Sequence, residues 1–104
     1  MSLLTNGTHA PAANTAAVVT LAARTGGYLT ITSLSYSYSA EPTGGNLQVE
    51  SPAGTVIWQI DILLRGENHI NFERGLQCAK DQGAIVTLAA GGAGISGKVN
   101  VITD

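Results

Sequence analysis

Turn-forming residues break this chain repeatedly into short segments, and no stretch between the breaks reads as an ordinary amphipathic helix. The breaks fall at Arg24-Thr25-Gly26-Gly27, Glu41-Pro42-Thr43-Gly44-Gly45, Ser51-Pro52-Ala53-Gly54, Arg65-Gly66-Glu67 and Gly91-Gly92-Ala93-Gly94. Between them, apolar residues tend to recur at every second position, the spacing that puts them on one face of a strand. Leu47 and Val49 alternate with Gln48 and Glu50, and Val56, Trp58, Ile60 and Ile62 share one side of the next run. A parallel sheet would need crossover helices, which the pattern does not supply. The chain is therefore expected to be all-β, an antiparallel sandwich of jelly-roll type with about seven or eight short strands.

Taken in order, residues 1–15 follow neither a period of 2 nor one of 3.6, and hold Asn6-Gly7 and Pro11. They are expected as an extended N-terminal arm lying against something outside the domain, with residues 16–104 forming the single sandwich domain. On that reading, deleting the arm leaves the fold intact. Residues 16–22 form the first strand. Within 27–39, Leu29 and Ile31 face one way while Leu34, Tyr36 and Tyr38 face the other. Such a change of parity demands a bulge, or a strand that passes from one sheet to the other. Residues 46–50 and 55–63 form a hairpin around 51–54, a type I turn by its Pro and Gly. A short strand at 68–72 carries Ile70 and Phe72 inward. Residues 73–82 are expected as an irregular connection with room for one helical turn. Residues 83–102 read as a closing β-hairpin: a β-branched run at 84–90, a glycine break, then Ile95, Val99 and Val101 on one face.

Part of that closing segment occurs earlier. Residues 17–27 align without gaps on 84–94, with Ala17/Ala84, Val19/Val86, Thr20/Thr87, Leu21/Leu88, Ala22/Ala89, Ala23/Ala90 and Gly27/Gly94 identical. Either the Ala- and Gly-rich composition produces the match, or two equivalent hairpins sit in one sandwich.

The motifs that might carry chemistry resolve into structural readings. The segment from Gly92 to Gly97-Lys98 matches the phosphate-loop pattern G-x-x-x-x-G-K. However, Val99 stands where a magnesium-binding Ser or Thr is needed, and a strand follows where a helix N-terminus should cradle phosphate. His9, His69, Cys78, Asp61, Glu67 and Asp81 show no metal-ligand spacing, so no metal and no cofactor is expected. Nothing marks a nucleophile elbow, and no enzyme activity is expected. Cys78, the one cysteine, reads as a small buried residue and excludes an internal disulfide. Asn6-Gly7-Thr8 fits the glycosylation pattern, but no secretory signal accompanies it. Tyr28, Tyr36, Tyr38 and Trp58 are candidates for stacking or interface anchoring as well as for the core. His69, alternating with Ile70, is placed facing solvent or an interface.

Charge decides between classes of partner. Charged residues make up 12% of the chain, against about 25% in typical soluble domains, and the net charge is −2. The five basic residues are scattered, which excludes a phosphate-binding patch and hence nucleic acid. No apolar window is long enough to span a membrane as a helix. A surface of Ser, Thr, Asn, Gln, Ala and Gly suits a protein packed against copies of itself or against a partner.

Pro42-Thr43-Gly44-Gly45 ahead of a strand, Asp61 ending the next long strand, and the closing V-T-L-A-A-G-G-A-G-I-S-G-K-V-N-V resemble small all-β structural proteins of tailed phages, in particular capsid decoration (cement) proteins. The resemblance runs from about residue 16 onward. It implies a virion protein, made in the host cytoplasm, whose copies bind the outside of an expanded head and clamp neighbouring subunits of the major capsid protein. It also implies a homo-oligomer, a trimer first and a dimer second, and offers no catalytic residues. The candidate interface comprises Leu3 and Leu4 of the arm with Tyr36, Tyr38 and His69. Alternative readings are another virion module of tail, neck or head fibre, or a carbohydrate-binding sandwich using the tyrosines and Trp58.

Overall fold

The computed structural model describes residues 5–103. Eight strands follow one another: β1 (Thr5–His9), β2 (Ala17–Leu21), β3 (Thr30–Tyr38), β4 (Gly45–Glu50), β5 (Val56–Ile62), β6 (Gly66–Gln77), β7 (Ala84–Leu88) and β8 (Gly97–Thr103). They form two four-stranded antiparallel sheets, ordered β1-β8-β3-β6 and β2-β7-β4-β5. Each strand n pairs with strand 9−n: β1 with β8, β2 with β7, β3 with β6, β4 with β5. The chain is thus one long double ribbon bent at the β4–β5 turn. Two further ladders, β3–β8 and β4–β7, roll the ribbon into two layers. This is the jelly-roll sandwich expected from the turn spacing.

Alternation explains why each strand lies as it does. Leu47 and Val49 of β4, Val86 and Leu88 of β7, and Val99 and Val101 of β8 point inward and are fully buried, with Ile31 and Leu34 of β3. Fully burying such a side chain contributes about 1.5–3 kcal/mol, set against the entropy of ordering the chain. In β3 the register shifts between Ile31 and Ser33, and Ser33 and Leu34 are consecutive buried residues. The parity change is therefore a bulge, and the strand stays within one sheet. The β4–β5 hairpin forms as expected, although its turn differs. Thr55 N–H donates to the Pro52 carbonyl at 3.0 Å and Gly54 has φ 92°, which excludes type I, since that turn needs φ < 0 at this position.

Three expectations are corrected. Within the stretch read as an arm, Thr5–His9 is an edge strand of the first sheet, with Gly7 opposite Val101. A Cβ at Gly7 would stand 2.8 Å from Val19 Cγ1, so β1 packs on β2 of the other sheet as part of the sandwich. Residues 73–82 contain no helical turn: β6 runs on to Gln77, and Cys78–Gln82 docks on residues 27–29 through Cys78 N–H to Leu29 O and Asp81 N–H to Gly27 O. Finally, β7 and β8 are not a hairpin. They lie in different sheets, so the glycine-rich segment between them crosses the sandwich.

That crossing is built around one ring. Tyr38 is 3% exposed, and its hydroxyl donates to the Ala89 carbonyl at 2.6 Å, tying the first sheet to the second. Added Cβ atoms would come within 2.7 Å of Tyr38 at Gly45, 2.9 Å at Gly91 and 3.2 Å at Gly97. Gly97, which closes the imitation phosphate loop, and Gly91, just ahead of it, make room for a tyrosine, while a Cβ at Gly92 would meet Thr43. A second pin lies at the far end, where the buried Ser51 hydroxyl accepts from Ala79 N–H (2.9 Å) and donates to Gly83 O (2.8 Å).

Candidate functional site

The core thins toward β5 and β6, which end the two sheets on the same side. Trp58 and Ile60 of β5, and Ile70 and Phe72 of β6, point inward but are only half-buried. Trp58 and Phe72 meet edge to face, ring centroids 5.3 Å apart. Beyond them, Val56, Ile57, Leu63 and Leu64 are exposed. Leu63 and Leu64 are about 70% exposed, at 73% and 70%, and border a cleft shared with Tyr36, Asp61, Arg65 and Asn68.

The outer face of the first sheet is polar and ordered. Register sets Thr8 opposite Asn100, Asn100 opposite Ser35, and Ser35 opposite His69, one row across all four strands. Thr8 Oγ1 donates to Asn100 Oδ1 at 2.6 Å. His69 Nε2 lies 2.9 Å from Asn71 Oδ1, which only accepts, so Nε2 carries the hydrogen. In the neutral ring Nδ1 then accepts from the Ser35 hydroxyl at 2.7 Å. A serine on a histidine invites comparison with a hydrolytic triad. Here the third member is uncharged, and on a sheet face the neighbouring N–H groups lie in the sheet plane rather than aimed at a developing oxyanion. The three side chains satisfy one another and stiffen the ridge. The outer face of the second sheet carries little charge: Val18, Ile57 and Ile85 stand among Thr20, Thr87, Gln48 and Gln59, with Glu50 and Asp61 as its charges.

Of the five residues named from the sequence, the three that are described, Tyr36, Tyr38 and His69, are not brought together. Leu3 and Leu4 lie outside the described residues. Tyr36 and Tyr38 are core residues, 8% and 3% exposed, because they share their face of β3 with Leu34; that corrects their assignment to an interface. The Tyr36 hydroxyl does reach the rim, accepting from Asn68 Nδ2 at 3.0 Å. His69 is exposed on the outer ridge. The exposed leucine pair was not singled out in the sequence, and its signal was two apolar residues running past the end of an alternating strand into Arg65-Gly66.

Cys78 is buried, as expected of a small apolar residue without a catalytic signature around it. Burial pushes its thiol pKa up, partly offset by a hydrogen bond with the Ser51 side chain. Among the described residues no three of His, Cys, Asp and Glu are grouped so as to hold a metal ion. Lys98 follows Gly97, the first residue of β8, and is exposed, on a strand rather than at the start of a helix.

No protein-family model matches the chain, and no curated protein matches it. Among solved structures, a crystal structure of PirA is similar, with a TM-score of 0.52 and 11% sequence identity over 100% of this chain and 95% of that one. At that identity the likeness is one of fold, and it agrees with the two-sheet all-β architecture.

Proposed function

We propose that the protein is a non-catalytic structural module that decorates a larger protein shell, the outer surface of a tailed-phage head being the shell its sequence resembles. The observation that carries this reading is the outer face of the second sheet, where Val18, Ile57 and Ile85 stand among uncharged polar residues, Glu50 and Asp61 are its charges, and no lysine or arginine occurs across the four strands. Depletion of charge is what distinguishes the centre of a protein interface from ordinary surface. Face-on binding of many copies lets modest individual contacts add up across a shell. The major capsid protein is the partner, and copies of this chain are its neighbours on the lattice. The glycan reading has a smaller platform, since Tyr36 and Tyr38 are buried and Trp58 packs edge to face on Phe72, which leaves Tyr28, 45% exposed, as its free tyrosine.

The test is co-sedimentation of the purified chain with expanded heads stripped of surface proteins, compared with unexpanded heads. Saturable binding to expanded heads is expected, weakened at least tenfold by Val18→Lys or Gln48→Lys. Absence of binding at high concentration overturns the reading.

A further inference from the structure

We propose that two copies of this chain join edge to edge through β5, antiparallel about Ile60, so that the second sheet runs unbroken through a dimer. The inference goes beyond the shell-binding reading and stands whether or not that reading holds.

β5 ends its sheet and pairs with β4 alone. The direction of its free groups follows from the ladder. Ala89 N–H donates to the Asn46 carbonyl, so Asn46 turns its backbone groups toward the β7 side. Leu47 and Val49 therefore turn theirs toward β5, meeting Ile60 and Trp58. The N–H and C=O groups of Gln59 and Asp61 point away from the sheet. Unpaired edges of this kind template further pairing unless guarded.

The other edges are guarded. β6 carries Glu67, Glu73 and Arg74. On β2, the Val18 N–H is taken by His9 Nδ1 at 2.9 Å. β1 is short and polar. β5 has neither Lys nor Pro, and Asp61 is its one charge; its bulge is confined to the start, at Val56 and Ile57, and leaves the run from Trp58 to Ile62 regular.

Its sequence also complements itself. With Ile60 opposite Ile60, Trp58 falls opposite Ile62 of the second copy and Gln59 opposite Asp61, and the bulged pair Val56 and Ile57 lies over against Leu63 and Leu64. The pairing extends the strand over Leu63 and Leu64, which lie just past its end. The four exposed apolar side chains, Val56 at 42%, Ile57 at 36%, Leu63 at 73% and Leu64 at 70%, thus cover one another. The strand's one carboxylate meets an amide donor. Two-fold symmetry makes every contact twice. Sliding by two residues sets Ile57 against Asp61, and sliding by one turns the outward backbone groups out of register.

The experiment is light scattering and sedimentation of the full chain across a concentration series, with three variants. Ile57→Lys places a guard on the edge. Gln59→Pro removes an N–H that faces away from β4 and so leaves the β4 ladder intact. Ile60→Cys places two thiols across a non-hydrogen-bonded pair, where Cα atoms sit about 4.5 Å apart, within disulfide reach. The expected result is a dimer for the wild type, half that mass for Ile57→Lys and Gln59→Pro with unchanged circular dichroism, and a covalent dimer on oxidising Ile60→Cys but not the wild type. If Gln59→Pro fails to fold, Ile57→Lys decides. A wild-type monomer throughout, a trimer, a dimer that survives Ile57→Lys, or Ile60→Cys that stays reduced within a dimer each overturns the proposal.

Discussion

Val19 and Val86 lie opposite one another at the centre of the β2–β7 ladder. They are also corresponding positions of the repeated segment, so the two copies A-V-V-T-L and A-I-V-T-L pair with each other, antiparallel, about a local two-fold axis. The repeat builds one ladder instead of two equivalent hairpins. Both valines are inward and buried, at 6% and 0% exposure. Val19→Ala and Val86→Ala are each expected to cost about 1–2 kcal/mol, from the methyl groups lost. Because the residues are cross-strand neighbours, the double variant should depart from additivity by at least about 0.5 kcal/mol. Denaturant titration of the four proteins measures it; strict additivity would mean the pair does not interact.

The Tyr38 cradle gives the glycines around the β7–β8 crossing a packing role. Gly91→Ala puts a methyl 2.6 Å from Ile95 Cγ2 and 2.9 Å from Tyr38 Cδ1, and should cost about 1–3 kcal/mol by overpacking. Lys98→Ala, on exposed surface, should stay within about 0.5 kcal/mol of wild type. Equal thermal shifts for the two variants would remove the cradle as the reason for these glycines.

Tyr38→Phe leaves the Ala89 carbonyl without its phenolic donor and is expected to cost about 1–3 kcal/mol near neutral pH. Burial raises the phenol pKa above its ordinary 10.0 by penalising the phenolate. The folded state therefore holds this proton more tightly than the unfolded chain. The wild type's advantage over Tyr38→Phe should be complete below pH 10.0 and decline as pH rises through the higher folded-state value. Stability curves at neutral and strongly alkaline pH test the sign.

Cys78 is 3% exposed, and desolvation raises its thiol pKa, with the Ser51 hydrogen bond lowering it in part. A thiol reagent at neutral pH should label the native protein at least tenfold more slowly than the urea-unfolded chain. Comparable rates would mean that the connection over Cys78 opens readily.

Deleting residues 1–15 removes β1, uncovers the β8 edge and strips the cover that Gly7 gives Val19. The truncated chain is expected to melt well below the full chain or to aggregate, and an unchanged melting temperature would return the segment to the status of an accessory arm.

Individual residues show why some of this was legible in the sequence. The β4–β5 hairpin and the β3 bulge are written in alternation, because Leu47 and Val49, and the offset from Ile31 to Leu34, report directly which way side chains point. β1 left no such trace, since its inward position opposite Val101 is Gly7 and the space is filled by Val19 from the other sheet. The β7–β8 link was misread because a glycine-rich loop joining two strands has the same local text whether it turns within a sheet or crosses between sheets. Tyr36 and Tyr38 carried their answer in Leu34, whose face they share. The apolar edge beside Leu63 and Leu64 escaped notice because alternation marks what a strand buries within its own chain, and is silent on what it leaves for another.

The pairing of strand n with strand 9−n sets an order in time as well as in space. As the chain leaves the ribosome, β4 and β5 can zip together as soon as both have emerged, with β3 and β6 following. β1, the first strand made, waits for β8, the last, and β2 waits for β7. The sandwich therefore closes only once synthesis has passed its final strand, and until then its earliest strands depend on having little to stick with. Polar, glycine-bearing β1 meets that need better than an apolar strand would.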